Sequence, residues 1–276
     1  MGSKTSQGII RRGDSTVLEK IRERNLLLWR VGVLHLVFIL FALVGVALDP
    51  RLVGGVNPWL KPIKFDLSIV VYLWTMAWIL AELPADYARR IARGMAATMI
   101  LETLLIGMQA ARGVKSHFNI DTGFDNAVFG LMGVVILYNY WLLIRVTLKF
   151  LKGAFLLPRA YILSIRLGLI TLLLGNAFGV YMSMQKGHAV GVADGGAGLA
   201  LLNWSTVAGD LRVAHFLGLH GIQLLLLVGW FVSRPQTSIP EDAGENWVWL
   251  SFVLHLGACA GLFLQALYGF PLIGKW

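Results

Sequence analysis

Seven long apolar stretches separated by short polar ones constrain this chain more than any motif does. They run roughly Leu26–Leu48, 66–82, 95–111, 126–145, 160–184, 212–232 and 247–270. About 20 apolar residues cross the hydrocarbon of a bilayer, and within it only a helix or a closed barrel satisfies every backbone polar group. The expected fold is therefore all-α, a polytopic integral membrane protein built as a bundle of about seven transmembrane helices. Only 14% of the residues are charged, against about a quarter in a typical soluble domain.

The polar remainder is too short to bury a core of its own, so residues 26–276 read as one membrane domain. Residues 1–25 read as a basic cytoplasmic or interfacial segment. Within it, Thr16-Val17-Leu18-Glu19 fits a capping box that would open a short interfacial helix. Met1-Gly2-Ser3-Lys4-Thr5-Ser6 matches a myristoylation pattern, though seven spans need no lipid anchor. The single cysteine, Cys259, lies in the last span, which excludes an intrachain disulfide and cysteine-based metal sites.

Orientation follows from the basic residues. The side holding residues 1–30, 83–94, 145–166 and 233–246 carries 16 Lys and Arg, and the other side carries 8. The positive-inside rule places the N-terminus in the cytoplasm and the C-terminus outside. The net charge of +9 then belongs to loops beside anionic lipid and not to a nucleic-acid surface. A bacterial inner (plasma) membrane is the expected location. Trp29, Trp59, Trp204, Trp247 and Trp276 fall near span ends, as an aromatic belt would. The long outer loop, 185–211, is rich in Gly and Ala and reads as a flap or a re-entrant piece.

Three polar clusters sit at helix mouths on the outer side. They are Asn57–Asp66, Arg112–Asn119 and Gly209–His215. Lys61, Lys64, Arg112, Lys115 and Arg212 supply five cations, against Asp66, Asp121, Asp125 and Asp210. Such a mixture suits a phosphate or carboxylate held among basic side chains, or else a ring of mutual salt bridges. On the sixth span Arg212, His215, His220 and Gln223 share a face roughly 140° wide, which must meet protein, water or ligand because lipid satisfies no polar group. Glu102, near the middle of the third span, is expected to be functional as a proton relay. Its alternative is a structural hydrogen bond to Asn139 or Asn176.

Three functions remain open at this level. The first is a binder or transporter of an anionic small molecule or lipid headgroup, using Lys61, Lys64, Arg112, Lys115, His117, Asp210, Arg212 and His215. The second is a membrane redox protein, with haem b held between His220 and His255 or with a quinone, and with Glu102 carrying protons; His35 is a spare ligand. The third is a zinc-dependent intramembrane hydrolase using His117, Asp210 and His215. In outline this third reading resembles the seven-span zinc amidohydrolases typified by alkaline ceramidases and adiponectin receptors. Their paired-histidine pattern in the last span is absent, since only His255 lies there.

Overall fold

The computed structural model describes residues 16–195 and 198–274. The myristoylation pattern and Trp276 lie outside them. The described residues form eight α-helices: α1 (Val17–Arg24), α2 (Leu26–Leu48), α3 (Leu60–Leu80), α4 (Ala85–Arg112), α5 (Gly123–Lys152), α6 (Arg159–Met184), α7 (Arg212–Val232) and α8 (Glu241–Leu267). Among the described residues seven of these, α2 to α8, are long and apolar enough to cross a membrane. The fold is that of an all-α integral membrane protein.

Local chemistry sets the helix ends. Thr16 and Glu19 form the expected capping box of α1. Asn25 then caps α2 by accepting from the Leu28 amide at 3.1 Å. Helices α4, α6 and α8 each begin after a proline, Pro84, Pro158 and Pro240. Proline suits these starts, where the missing N–H would have no helical partner. Helix α4 ends at Gly113, whose φ is +71°. A Cβ there would also lie 2.6 Å from the Arg51 guanidinium.

Several helices run past the stretches that hydropathy alone delimits. Helix α3 starts at Leu60 instead of 66, and α4 at Ala85 instead of 95. The extra turns carry Lys61 and Lys64, or Arg89, Arg90 and Arg93, and backbone hydrogen bonding does not stop where apolar composition does.

Helices α2, α3 and α4 pack together at one end of the bundle, and α6, α7 and α8 at the other, with α5 touching α4 and α6. The α6–α7 seam is the most intimate, with Gly175 facing the backbone of Gly218 and Leu219. A large core cluster runs from Leu28 and Leu73 through Met95 and Leu143 to Ile165. Loop 185–211 folds back on itself through a two-residue antiparallel pair, β1 (Ala189–Val190) with β2 (Gly209–Asp210). It touches the start of α3, where Lys64 Nζ donates to the Leu202 carbonyl at 3.3 Å.

Candidate functional site

The polar stripe of α7 turns toward the other helices, and each member has a partner. Arg212 forks onto Asp210, with Nη2 to Oδ2 at 2.6 Å, and also donates Nε to Oδ1 at 2.9 Å. His215 Nδ1 lies 2.7 Å from the Gly175 carbonyl oxygen on α6. His220 Nε2 meets Ser68 Oγ of α3 at 3.4 Å, and Gln223 donates to Thr75 Oγ1 at 3.0 Å. Helix α3 answers with its own stripe. Lys61, Lys64, Ser68, Tyr72 and Thr75 fall within about 80° on the helical wheel.

The end of these two stripes nearest the starts of α3 and α7 forms the candidate site. Lys61 interacts with Arg212 and Lys64 as like charges, and with Glu102 and Asp194 as opposite ones. Its ammonium stands 5.7 Å from the centroid of Phe65. Among the described residues neither Lys61 nor Lys64 forms an ion pair with a carboxylate. Below them lies Glu102, only 1% exposed. Both of its carboxylate oxygens lack a hydrogen-bond partner. Its nearest ionisable neighbour is His117, with Nε2 3.7 Å from Oε1. The other nitrogen of His117 meets Ser116 Oγ at 3.1 Å. Phe65, Phe118 and Phe129 surround the imidazole, with ring centroids 5.3, 6.2 and 6.3 Å away.

Burial, reinforced by the positive charge of Lys61 and by His215, holds the His117 imidazole well below its ordinary pKa. It is neutral at physiological pH. Behind it His188 approaches Asp194 Oδ1 at 3.5 Å and Asp210 Oδ1 at 3.9 Å. Burial lowers the His188 pKa to about 4, with Arg212 adding to the effect and the two aspartates opposing it. For Asp210, burial alone would raise the carboxyl, but the Arg212 hydrogen bonds and charge leave it below the usual range.

Several expectations need correction. Arg112 does not join Arg212: it pairs with Asp125, bonds Gln109, and lies 4.7 Å over the Phe124 ring. Lys115 is exposed and pairs with no carboxylate among the described residues. The five cations therefore separate, with Lys61, Lys64 and Arg212 in one group and Arg112 in a closed ion pair elsewhere. Asp66 does not balance Lys64 either. It is fully buried, and its Oδ1 accepts from Thr103 at 2.8 Å and lies 2.6 Å from His35 Nδ1. The helical wheel carried the signal, since Asp66 sits about 140° from Lys61 on an ideal helix.

His220 and His255 do not face one another across a space for a haem. His220 leaves α7 toward Ser68 of α3. His255 instead packs where a Cβ on Gly221 would lie 2.4 Å from its Nε2, beside Thr171 of α6. Helices α7 and α8 touch directly at that point, so no slot for a flat macrocycle separates the two rings. The zinc set fails similarly. Among the described residues no three His, Cys, Asp or Glu side chains come together in a metal-binding group. His215 directs Nδ1 to a backbone carbonyl, and Asp210 is committed to Arg212.

The two candidate partners of Glu102 are occupied elsewhere. Asn139 Oδ1 accepts from Tyr72 and Thr98, both at 3.3 Å, and Asn176 donates to the Leu172 carbonyl of its own helix at 2.8 Å. Comparison of the chain with protein-family models, with curated proteins and with solved structures finds no match.

Proposed function

We propose that this membrane protein binds a small anion, a carboxylate or phosphate of a solute or headgroup, at the outer end of the α3–α7 seam, and that it does so as a transporter or receptor-like binder of a bacterial inner membrane with its N-terminus inside. The observation that carries this reading is the pair Lys61 and Lys64. Two ammonium groups stand beside Arg212 without a carboxylate of their own. Like charges brought together repel, and an anion between them reverses that sign. Glu102 beneath them has no cap on either oxygen, which fits a proton exchanged as the anion enters or leaves.

The test is a thermal-shift titration of the purified protein with acetate, citrate, inorganic phosphate and glycerol phosphate. At least one should raise the midpoint saturably. Lys61→Gln combined with Lys64→Gln should weaken that response tenfold or more, about 1.4 kcal/mol. Arg112→Ala should leave it in place, because Arg112 serves Asp125. If no anion shifts the wild type, or if the lysine variant responds equally, the reading fails.

One observation favours a second reading, a quinone-linked redox role. His117 and Glu102 present a neutral imidazole and an uncapped carboxyl inside an aromatic wall. Both groups can hydrogen-bond a quinone carbonyl. A water-soluble quinone analogue in the same titration separates the readings. Binding lost in Glu102→Gln but kept in the lysine variant supports the quinone.

A further inference from the structure

The opposite end of the bundle carries a second charged feature that the outer site does not use. Arg145, Lys149 and Lys152 recur at four- and three-residue spacing on α5, so they stack on one face over its last turns. With Leu148 and with Tyr87 of α4 they line a cavity of about 240 Å³. Arg145 and Lys149 both lean over the Tyr87 ring, at 5.8 and 5.5 Å from its centroid. Among the described residues none of the three cations pairs with a carboxylate. Tyr87 is only 9% exposed, and its hydroxyl is buried without a hydrogen-bond partner.

Cations are common at a helix C-terminus, where they offset the free carbonyls. That explanation is already taken here. Arg166 Nε donates to the Phe150 carbonyl at 2.9 Å, and its Nη2 donates to the Gly153 carbonyl at 3.0 Å. The Lys149 carbonyl accepts from the Gly153 amide. The cations of α5 are therefore not needed to cap it, and Arg145 and Lys149 lie instead over the ring of Tyr87.

We propose that this cavity between α4 and α5 holds the phosphate of an anionic phospholipid, with Arg145 and Lys149 as its charge partners and the Tyr87 hydroxyl as a neutral donor. Three features select a lipid over a free phosphate. Leu148 makes one wall apolar, and Leu148 and Leu151 are exposed beside the cavity, where acyl chains would lie. Trp141, exposed one turn deeper on α5, lies 4.9 Å beneath the Arg145 guanidinium, a pairing suited to the edge of a membrane. The cavity also lies at the basic end of the bundle, where the excess of Lys and Arg places the cytoplasmic leaflet and its anionic lipids.

The experiment uses delipidated full-length protein in a neutral detergent. It is titrated with dioctanoyl phosphatidylglycerol, dioctanoyl phosphatidylcholine and inorganic phosphate, and occupancy is read by native mass spectrometry. Phosphatidylglycerol should bind saturably and at least tenfold more tightly than the other two. Arg145→Gln with Lys149→Gln should weaken it tenfold or more, and Tyr87→Phe, which keeps the ring and removes only the donor, about threefold. The charge-matched control Lys20→Gln with Arg90→Gln should bind like the wild type. Equal binding by the Arg145/Lys149 variant, or an equal loss in the control, overturns the site. Inorganic phosphate binding as tightly as the lipid overturns the lipid assignment. If the double variant does not fold, Tyr87→Phe decides, and unchanged binding there counts against the proposal.

Discussion

The two sides of α7 are joined to their neighbours by opposite chemistry. Toward α6 the contact is backbone on backbone. A Cβ at Gly175 would lie 2.4 Å from the Leu219 nitrogen and 2.5 Å from the Gly218 carbonyl carbon. Toward α3 the contact is made by polar side chains, Ser68 with His220 and Thr75 with Gln223. In a membrane there is no hydrophobic force between helices, so a small-residue seam gains dispersion from close approach and leaves no space inside. A seam held by hydrogen bonds keeps its helices a side chain apart, and each bond contributes only about 0.6–2 kcal/mol. The same helix is therefore packed backbone to backbone on one side and joined through side chains on the other. The candidate site lies on the hydrogen-bonded side.

This contrast can be broken most sharply at the closed seam. Gly175→Val should cost about 3 kcal/mol or more, the upper end of overpacking, because the clashing atoms are backbone and cannot rotate away. Thermal unfolding in detergent should show a large fall in midpoint or no folded protein. An unchanged midpoint would mean that the seam is not closed.

Acid should act next, at the candidate site. The folded protein holds His188 at about 4 by burial, whereas the unfolded chain titrates near 6.5. Protons therefore bind the unfolded state more readily. The contribution of His188 is complete above pH 6.5 and lost as pH falls toward 4. His188→Gln should flatten the pH dependence of stability in that window. A wild-type curve that is already flat from pH 7 to 4.5 would contradict the burial of this imidazole.

The smallest effect belongs to the hydrogen-bonded seam. Gln223→Leu removes one α3–α7 bridge and should cost about 0.6–2 kcal/mol, the range for such bonds. A cost above about 2 kcal/mol would make the two seams equivalent.

The fold is legible in the chain alone where one-dimensional chemistry decides. Hydropathy gives Leu26–Leu48 the bounds of α2, because apolar composition changes abruptly at the capping residue Asn25 and at Asp49. Where charged turns continue a helix, as at Lys61 or Arg93, hydropathy stopped too early. The inward turn of Arg212, His215, His220 and Gln223 also followed from periodicity, since lipid accepts no such stripe.

What periodicity cannot supply is the partner of each polar group. All-α architecture, the seven spans and the expected sidedness of the charges follow from the sequence by itself, because burial in lipid acts on each residue separately. Pairing depends on which helices adjoin. Arg112 and Arg212 look equivalent at two helix mouths, yet one closes on Asp125 and the other on Asp210. Asp66 looks like the counter-ion of Lys64, yet it meets His35 on α2. Glu102 looks served by asparagines that in fact bond elsewhere, and so it stays uncapped beside His117. Only the tertiary structure decides these pairings, because an ion pair is set by a few ångströms between helices that are distant in sequence, and no local pattern encodes that distance.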